Sequence, residues 1–274
     1  MAAPMSHHLL HQSLPIERGQ SWITRIGERG YDTGIGFAIL RLGARERFAR
    51  RPDRETALLL MQGRASFVVG GNAAEVARSS LFDETPTALH APRGVELSVA
   101  ATTDCELALL EVENERSFEP RIFERTSMAQ NEHRGKGELH DASYRIVRTI
   151  FDTRNRPEAN LVLGEVITLP GRWSSYPPHH HPQPEIYHYR FAHPSGFGFS
   201  EVGEDVVRLR HGDTLKIAPG ADHAQVAAPG YAMYYLWVIR HLPGNPYTTP
   251  EFTEAHRWLL QPGVAIWKPQ EEEP

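Results

Sequence analysis

Cysteine, lysine, helical periodicity and long apolar runs are all scarce in this 274-residue chain. Cys105 is the single cysteine, which excludes a disulfide framework and any cysteine-based zinc site. No apolar run approaches the ~18 residues that a membrane-spanning helix needs. The opening MAAPMSHHLLHQ lacks the basic stretch and apolar core of a secretory leader, so a cytoplasmic location is expected. Of 29 basic residues only Lys136, Lys216 and Lys268 are lysine, and the net charge of −5 argues against broad nucleic-acid binding. The one helical pattern lies near the C-terminus. There Thr249 would cap a helix with Pro250 at its first position and Phe252, Ala255 and Leu259 on one face.

What the chain does have is short strand-like runs and an excess of histidine. Runs such as Gly36–Leu42, Thr56–Gln62, Ala65–Val69, Glu96–Ala101 and Glu106–Val112 are rich in Val, Leu, Phe or Thr, and turn residues bound them. The second half repeats the habit in Leu161–Leu169, Glu185–Phe191, Gly196–Val202, Val206–Leu209, Thr214–Ala218, Gln225–Ala228 and Tyr231–Ile239. An all-β sandwich or barrel follows. An internal repeat goes further. Pro92 and Val99 return as Pro219 and Val226, both 127 residues on, and Glu55 pairs with Glu185 at 130. Two matched β units are expected. The polar, aperiodic stretch from Asn114 to Arg145 would link them.

Seven of the 15 histidines fall between His179 and His223, about a sixth of the chain. In an extended strand His179 and His181 point to one face and His180 to the other. Glu185 follows closely, and His223 opens a strand after the Pro219-Gly220 turn. Three imidazoles and a carboxylate suit Zn, Fe, Mn, Co or Ni, and open positions would make the site catalytic. The plain alternative, a solvated histidine-rich loop, explains neither Glu185 nor the placement of His223. The segment Phe48–Arg54 that leads into Glu55 has no histidine, and Glu96 stands 127 residues before His223. One divalent metal per chain, held in the second unit, is therefore predicted.

The segments GRWSSYPPHHH, PEIYHYRF, HGDTLKIAPGADH and VAAPGYAMYYLWV resemble the bicupin family of 5-deoxy-glucuronate isomerases of myo-inositol catabolism. MQGRASFVVGG and HRGKG…YRIVRTI extend the likeness over the first half, so that it runs from about Gly34 to Ile266. The resemblance implies two all-β cupin barrels, residues 1–125 without metal and 126–274 with it. It implies the same ligands, His179, His181, Glu185 and His223, with zinc foremost. Only Pro182-Gln183-Pro184 separates the H-x-H from the glutamate, a shorter segment than the family's. The implied reaction is an aldose–ketose isomerisation of a sugar acid, through an enediolate that a Lewis acid would stabilise. Glu165, Tyr176, Tyr187, His188 and Tyr235 are the candidates for acid–base work. Arg172, Arg190 and Lys136 are the candidates for the substrate carboxylate. A homo-oligomer is expected on the same ground. A cupin dioxygenase and a non-catalytic sugar-binding bicupin are the competing readings.

Overall fold

The computed structural model describes residues 7–12 and 15–269. It is 49% strand and 5% helical, an all-β chain. Among the described residues no helix is long and apolar enough to cross a membrane.

The first half holds β1 (His7–Leu10), β2 (Gly19–Thr24), β3 (Gly36–Leu42), β4 (Arg47–Arg50), β5 (Glu55–Val69), β6 (Asn72–Arg78), β7 (Ala88–Ala91), β8 (Leu97–Ala101), β9 (Cys105–Val112) and β10 (Arg121–Phe123). The second holds β11 (Glu132–Arg134), β12 (Arg145–Phe151), β13 (Leu161–Thr168), β14 (Trp173–His180), β15 (Glu185–Phe191), β16 (Phe197–Val202), β17 (Asp205–Arg210), β18 (Thr214–Ile217), β19 (His223–Ala227), β20 (Met233–Arg240) and β21 (Glu251–Phe252). One sheet runs β10-β7-β5-β9-β3-β2 and another β1-β18-β15-β20-β13-β12-β11. The six strands of the first order match β1-β18-β15-β20-β13-β12 of the second, and β11 adds a seventh at the edge. Each large sheet closes on a smaller one to form a barrel. In the first half β4, β8 and β6 gather on the far end of β5; in the second the order is β17-β16-β19-β14-β21. Residues 7–10 cross the boundary expected at 125/126, because β1 pairs with β18.

Three apolar clusters explain the near-continuous hydrophobic runs. Leu58, Leu60, Leu107 and Leu109 fill the first barrel. Tyr187, Tyr189, Leu215 and Tyr235 fill the second. Between them Phe37, Leu59, Leu110, Leu163, Ile186 and Leu236 weld the two large sheets back to back. A strand buried on both faces loses the apolar–polar alternation of a half-exposed one.

Several expectations are corrected. Thr56–Gln62 and Ala65–Val69 are one strand, β5, which passes from sheet to sheet at Gly63. That residue has φ +104, and a Cβ there would lie 2.4 Å from the Asp104 carbonyl oxygen. The C-terminal helix does not start at Pro250. Glu251 and Phe252 instead pair with His180 and His179 along the edge of β14, and Thr253 bonds the Pro178 carbonyl oxygen through its N–H and hydroxyl. A 3-10 turn, Glu254–Leu260, follows with no buried residue, so no docked face sustains an α-helix. The stretch from Asn114 to Arg145 is not a free linker: Asn114 donates to Glu55 at 2.6 Å, and Phe123 is fully buried between the barrels.

The repeat is real, but its register differs from the sequence spacing. Val69 faces Leu97 as Val202 faces His223, so Leu97 and His223 are counterparts, one residue closer than 127. Thr56 lies between Ala91 and Glu111 as Glu185 lies between Ile217 and Ile239. Glu111 and Ile239 are thus one residue further apart than 127, because the hairpin from β19 to β20 is longer than that from β8 to β9. Thr56, not Glu55, is the counterpart of Glu185, and a one-residue slip sends a side chain to the opposite face.

Candidate metal centre and its surroundings

β14 and β15 belong to different sheets of the barrel, and His181-Pro182-Gln183-Pro184 carries the chain from one to the other. The Gly220 N–H donates to the His181 carbonyl at 2.8 Å, and the Gln183 amide donates to the Asn245 carbonyl at 2.9 Å. These bonds hold the connecting segment against the turn that leads into His223. His179 lies opposite His223 in the β14–β19 ladder. His181, Glu185 and His223 are buried, and their ligand atoms lie within 4.8 Å of one another. Glu185 Oε2 is 3.1 Å from His181 Nε2 and 3.5 Å from His223 Nε2. The His179 ring centroid lies 4.6 Å from that of His223. His180 turns away to Asp222 at 2.6 Å, as alternation requires.

The donor set fits a divalent ion. His223 Nδ1 is 3.0 Å from the Ala221 carbonyl and His179 Nδ1 is 3.4 Å from that of Pro177. Carbonyl partners fix the proton on Nδ1 and leave Nε2 bare for coordination. Burial first, then His223 and His181, holds His179 well below its ordinary pKa; burial lowers His223 likewise. Neutral imidazole is the metal-binding form. His181 Nδ1 is buried with no hydrogen-bond partner among the described residues.

The acid–base candidates separate by strand face. Tyr187 and Tyr235 point into the barrel. The Tyr187 hydroxyl is 3.1 Å from His223 Nε2, and the Tyr235 hydroxyl is 2.6 Å from Ser174 Oγ. Burial raises both phenols, and the Glu185 charge adds to the effect on Tyr187. Tyr176 is half-buried at the irregular middle of β14 against Trp173. Glu165 and His188 face the other way, into the layer between the barrels. Glu165 takes Arg78 at 2.6 and 2.9 Å and the Tyr234 hydroxyl at 2.7 Å. His188 contacts Thr214 at 2.8 Å and Phe37 edge-on.

The cation candidates also divide. Arg190 donates to His188 and, at 2.8 Å, to Glu106 of the first barrel. Arg172 sits in the turn entering β14, at the far end of that strand from His179. Lys136 is exposed, over the Tyr144 ring. Two groups near the cluster escaped the sequence reading. The Tyr247 ring centroid is 4.9 Å from that of His181. Arg145 acts electrostatically on both His179 and Tyr235.

Two barrels of matching strand order, one carrying three histidines and a glutamate, define a bicupin. The chain belongs to the KduI/IolB family, whose model matches residues 9–259, and it is an isomerase. It is 26% identical over 282 residues to the 5-deoxy-glucuronate isomerase of Geobacillus thermodenitrificans, covering 95% of this chain and 98% of that one. An IolB-like protein from Salmonella typhimurium superposes with a TM-score of 0.78 at 24% identity, over 92% of this chain and 99% of that one. A cupin 2 conserved barrel domain protein from Leptotrichia buccalis superposes at 0.50 with 13% identity, over 84% and 92%.

Proposed function

We propose that this chain converts 5-deoxy-D-glucuronate to 2-deoxy-5-keto-D-gluconate, an aldose–ketose isomerisation, with one divalent metal held by His179, His181, Glu185 and His223. The observation that carries the reading is the buried cluster of Glu185 with His181 and His223 in a family whose curated relatives bear that activity's name. Zinc is the leading metal, since three imidazoles and a carboxylate are borderline donors. Such an ion, when bound, supplies a Lewis acid that polarises a carbonyl and steadies negative charge on oxygen.

The protein's own groups do the rest. Tyr187, kept protonated by burial, is a hydroxyl donor aimed into the cluster. It can pass a proton to a substrate oxygen as the carbonyl and hydroxyl exchange places. Tyr235, tied to Ser174, and Tyr189, tied to Gln225 at 2.5 Å, hold fixed hydroxyls along the barrel wall. Such preorganised donors stabilise an enediolate without reorganising. The closed barrel limits water and so protects that reactive species.

The test is an NMR assay in D2O with 5-deoxy-D-glucuronate, following aldehyde loss with and without chelator. Chelator-sensitive turnover with deuterium entering the product supports the reading. A metal-loaded sample that leaves the aldehyde intact refutes it. The tight core of the cluster, two histidines and a carboxylate, also has the composition of non-haem iron oxygenase sites. Oxygen consumption by iron-loaded protein, with no isomerisation, would select that second reading.

A further inference from the structure

Sugar acids bring a carboxylate that a buried pocket must neutralise, and most cations near the second barrel are already engaged. Arg190 pairs with Glu106, Arg78 and Arg148 with Glu165, and Lys216 with Glu28. Arg145 differs. It opens β12, two residues before Val147, whose side chain belongs to the barrel interior. Arg148, on the other face, turns to Glu165. Alternation therefore directs Arg145 inward. Its hydrogen bond is to the Ser143 carbonyl at 2.9 Å, and it makes no ion pair among the described residues. Directly across the β12–β13 ladder is Thr168, fully buried, with a hydroxyl that has no partner among the described residues. Arg145 lies close enough to His179 and Tyr235 for its charge to act on both.

A half-buried guanidinium without a counter-ion, beside an unsatisfied buried hydroxyl, is costly unless a ligand completes it. A planar fork of donors matches a carboxylate bidentately. We propose that Arg145 binds the carboxylate of the sugar-acid substrate, with the Thr168 hydroxyl beside it, and so directs the carbonyl end toward the histidine cluster. This assignment rests on the isomerase reading for its substrate, though not for its anion. It replaces Arg190, which the interface consumes.

The test compares wild type with Arg145→Gln and Arg145→Lys at matched metal content and melting temperature. For 5-deoxy-D-glucuronate, KM should rise about 10- to 100-fold in Arg145→Gln. Arg145→Lys should recover part of that loss, because it restores charge without the fork. The preference for the uronate over 5-deoxy-D-glucose, which carries hydroxymethyl in place of carboxylate, should collapse in Arg145→Gln and be partly kept in Arg145→Lys. Calorimetric titration with D-gluconate should show binding by wild type and none by Arg145→Gln. An unchanged KM together with an unchanged gluconate titration in a folded, metal-loaded variant overturns the proposal. If wild type proves inactive on the uronate while gluconate binding still depends on Arg145, the isomerase reading fails and the anion site stands.

Discussion

The two barrels share one lattice and differ at one place in it. Superimposing their ladders puts Arg50 where His179 stands, since each lies opposite the counterparts Leu97 and His223. The Gly94 N–H bonds the Pro52 carbonyl as the Gly220 N–H bonds that of His181, so Pro52 answers to His181. Thr56 answers to Glu185. The quartet His179, His181, Glu185 and His223 thus reads Arg50, Pro52, Thr56 and Leu97 in the first barrel. Glu111, the counterpart of Ile239, meets Arg50 there at 2.5 Å. One barrel closes this position with an ion pair and aliphatic packing. The other gathers His181, Glu185 and His223 within 4.8 Å, with the His179 ring beside that of His223. A barrel wall of this order does not need these side chains in order to fold, since the first barrel closes without them.

The comparison breaks most sharply if the second barrel is given the residue of the first. His223→Leu should bring metal content, read by inductively coupled plasma mass spectrometry, from one ion per chain to near none. Isomerase turnover should be abolished with it. Removal of a polar group from a barrel wall that tolerates Leu97 should shift melting by no more than a few degrees. Two tightly bound ions per wild-type chain would instead mean that the first barrel binds metal through groups other than the quartet.

Much of this centre was legible in the sequence because it is local. H-x-H and a glutamate four residues on lie in one short stretch of chain, and alternation alone puts two imidazoles on one side. What lay beyond reach depended on partners far along the chain. Glu165, His188 and Arg190 sit on strands buried on both faces, and only the docked first barrel shows that their side is an interface. Arg145 ends a stretch that reads as a linker, so its inward direction became visible only through pairing with Thr168. The repeat was found at the right spacing to within one residue, yet one residue is the difference between Glu55, which faces the interface, and Thr56, which faces the barrel. Unequal hairpin lengths produced the slip, and no local pattern encodes them.

The interface tests the second difference, between residues that serve chemistry and those that join the halves. Glu165→Gln leaves the buried Arg78 and Arg148 without their shared carboxylate, a loss of about 3–5 kcal/mol. For a chain of this size that is a fall in melting temperature on the order of 10 °C. Metal content should hold, and kcat measured well below melting should stay near wild type. A large loss of kcat with an unshifted melting curve would return Glu165 to the acid–base candidates.

A smaller effect should appear in the dependence of stability on pH. Between the barrels His90 Nε2 is 2.9 Å from Glu55, and Arg156 Nε donates to His90 Nδ1 at 3.0 Å. His90 is therefore the neutral, Nε2-protonated form, and burial lowers its pKa. Burial alone would raise Glu55, but bonds from His90, the Asn160 N–H and Asn114 outweigh it and hold the carboxyl low. Both folded values are depressed, so the unfolded chain binds more protons in acid. The stability these groups contribute is whole above about pH 6.5. It is lost as pH falls through first the histidine and then the carboxylate range. Melting temperature should drop between pH 7 and pH 4, and His90→Gln should flatten the upper part of that drop. Each kcal/mol of linkage would show as about 2–4 °C. A melting temperature that rises on acidification would contradict the neutral assignment of His90.

The smallest expected change separates Lys136 from Arg145, two cations of one polar stretch with opposite surroundings. Lys136 sits between Gly135 and Gly137, both at positive φ, on an exposed turn, and its ammonium is 6.0 Å from the Tyr144 ring centroid. An exposed cation–π contact of that length contributes at most about 0.5–1 kcal/mol. Lys136→Ala should therefore shift melting by about 2 °C or less and leave KM for the uronate unchanged within error, while Arg145→Gln raises it. Burial decides between them: a solvated ammonium already has its partners in water, whereas the Arg145 guanidinium has no counter-ion among the described residues and would gain one from substrate. A KM that rises equally in Lys136→Ala would place the carboxylate at the mouth of the barrel and not within it.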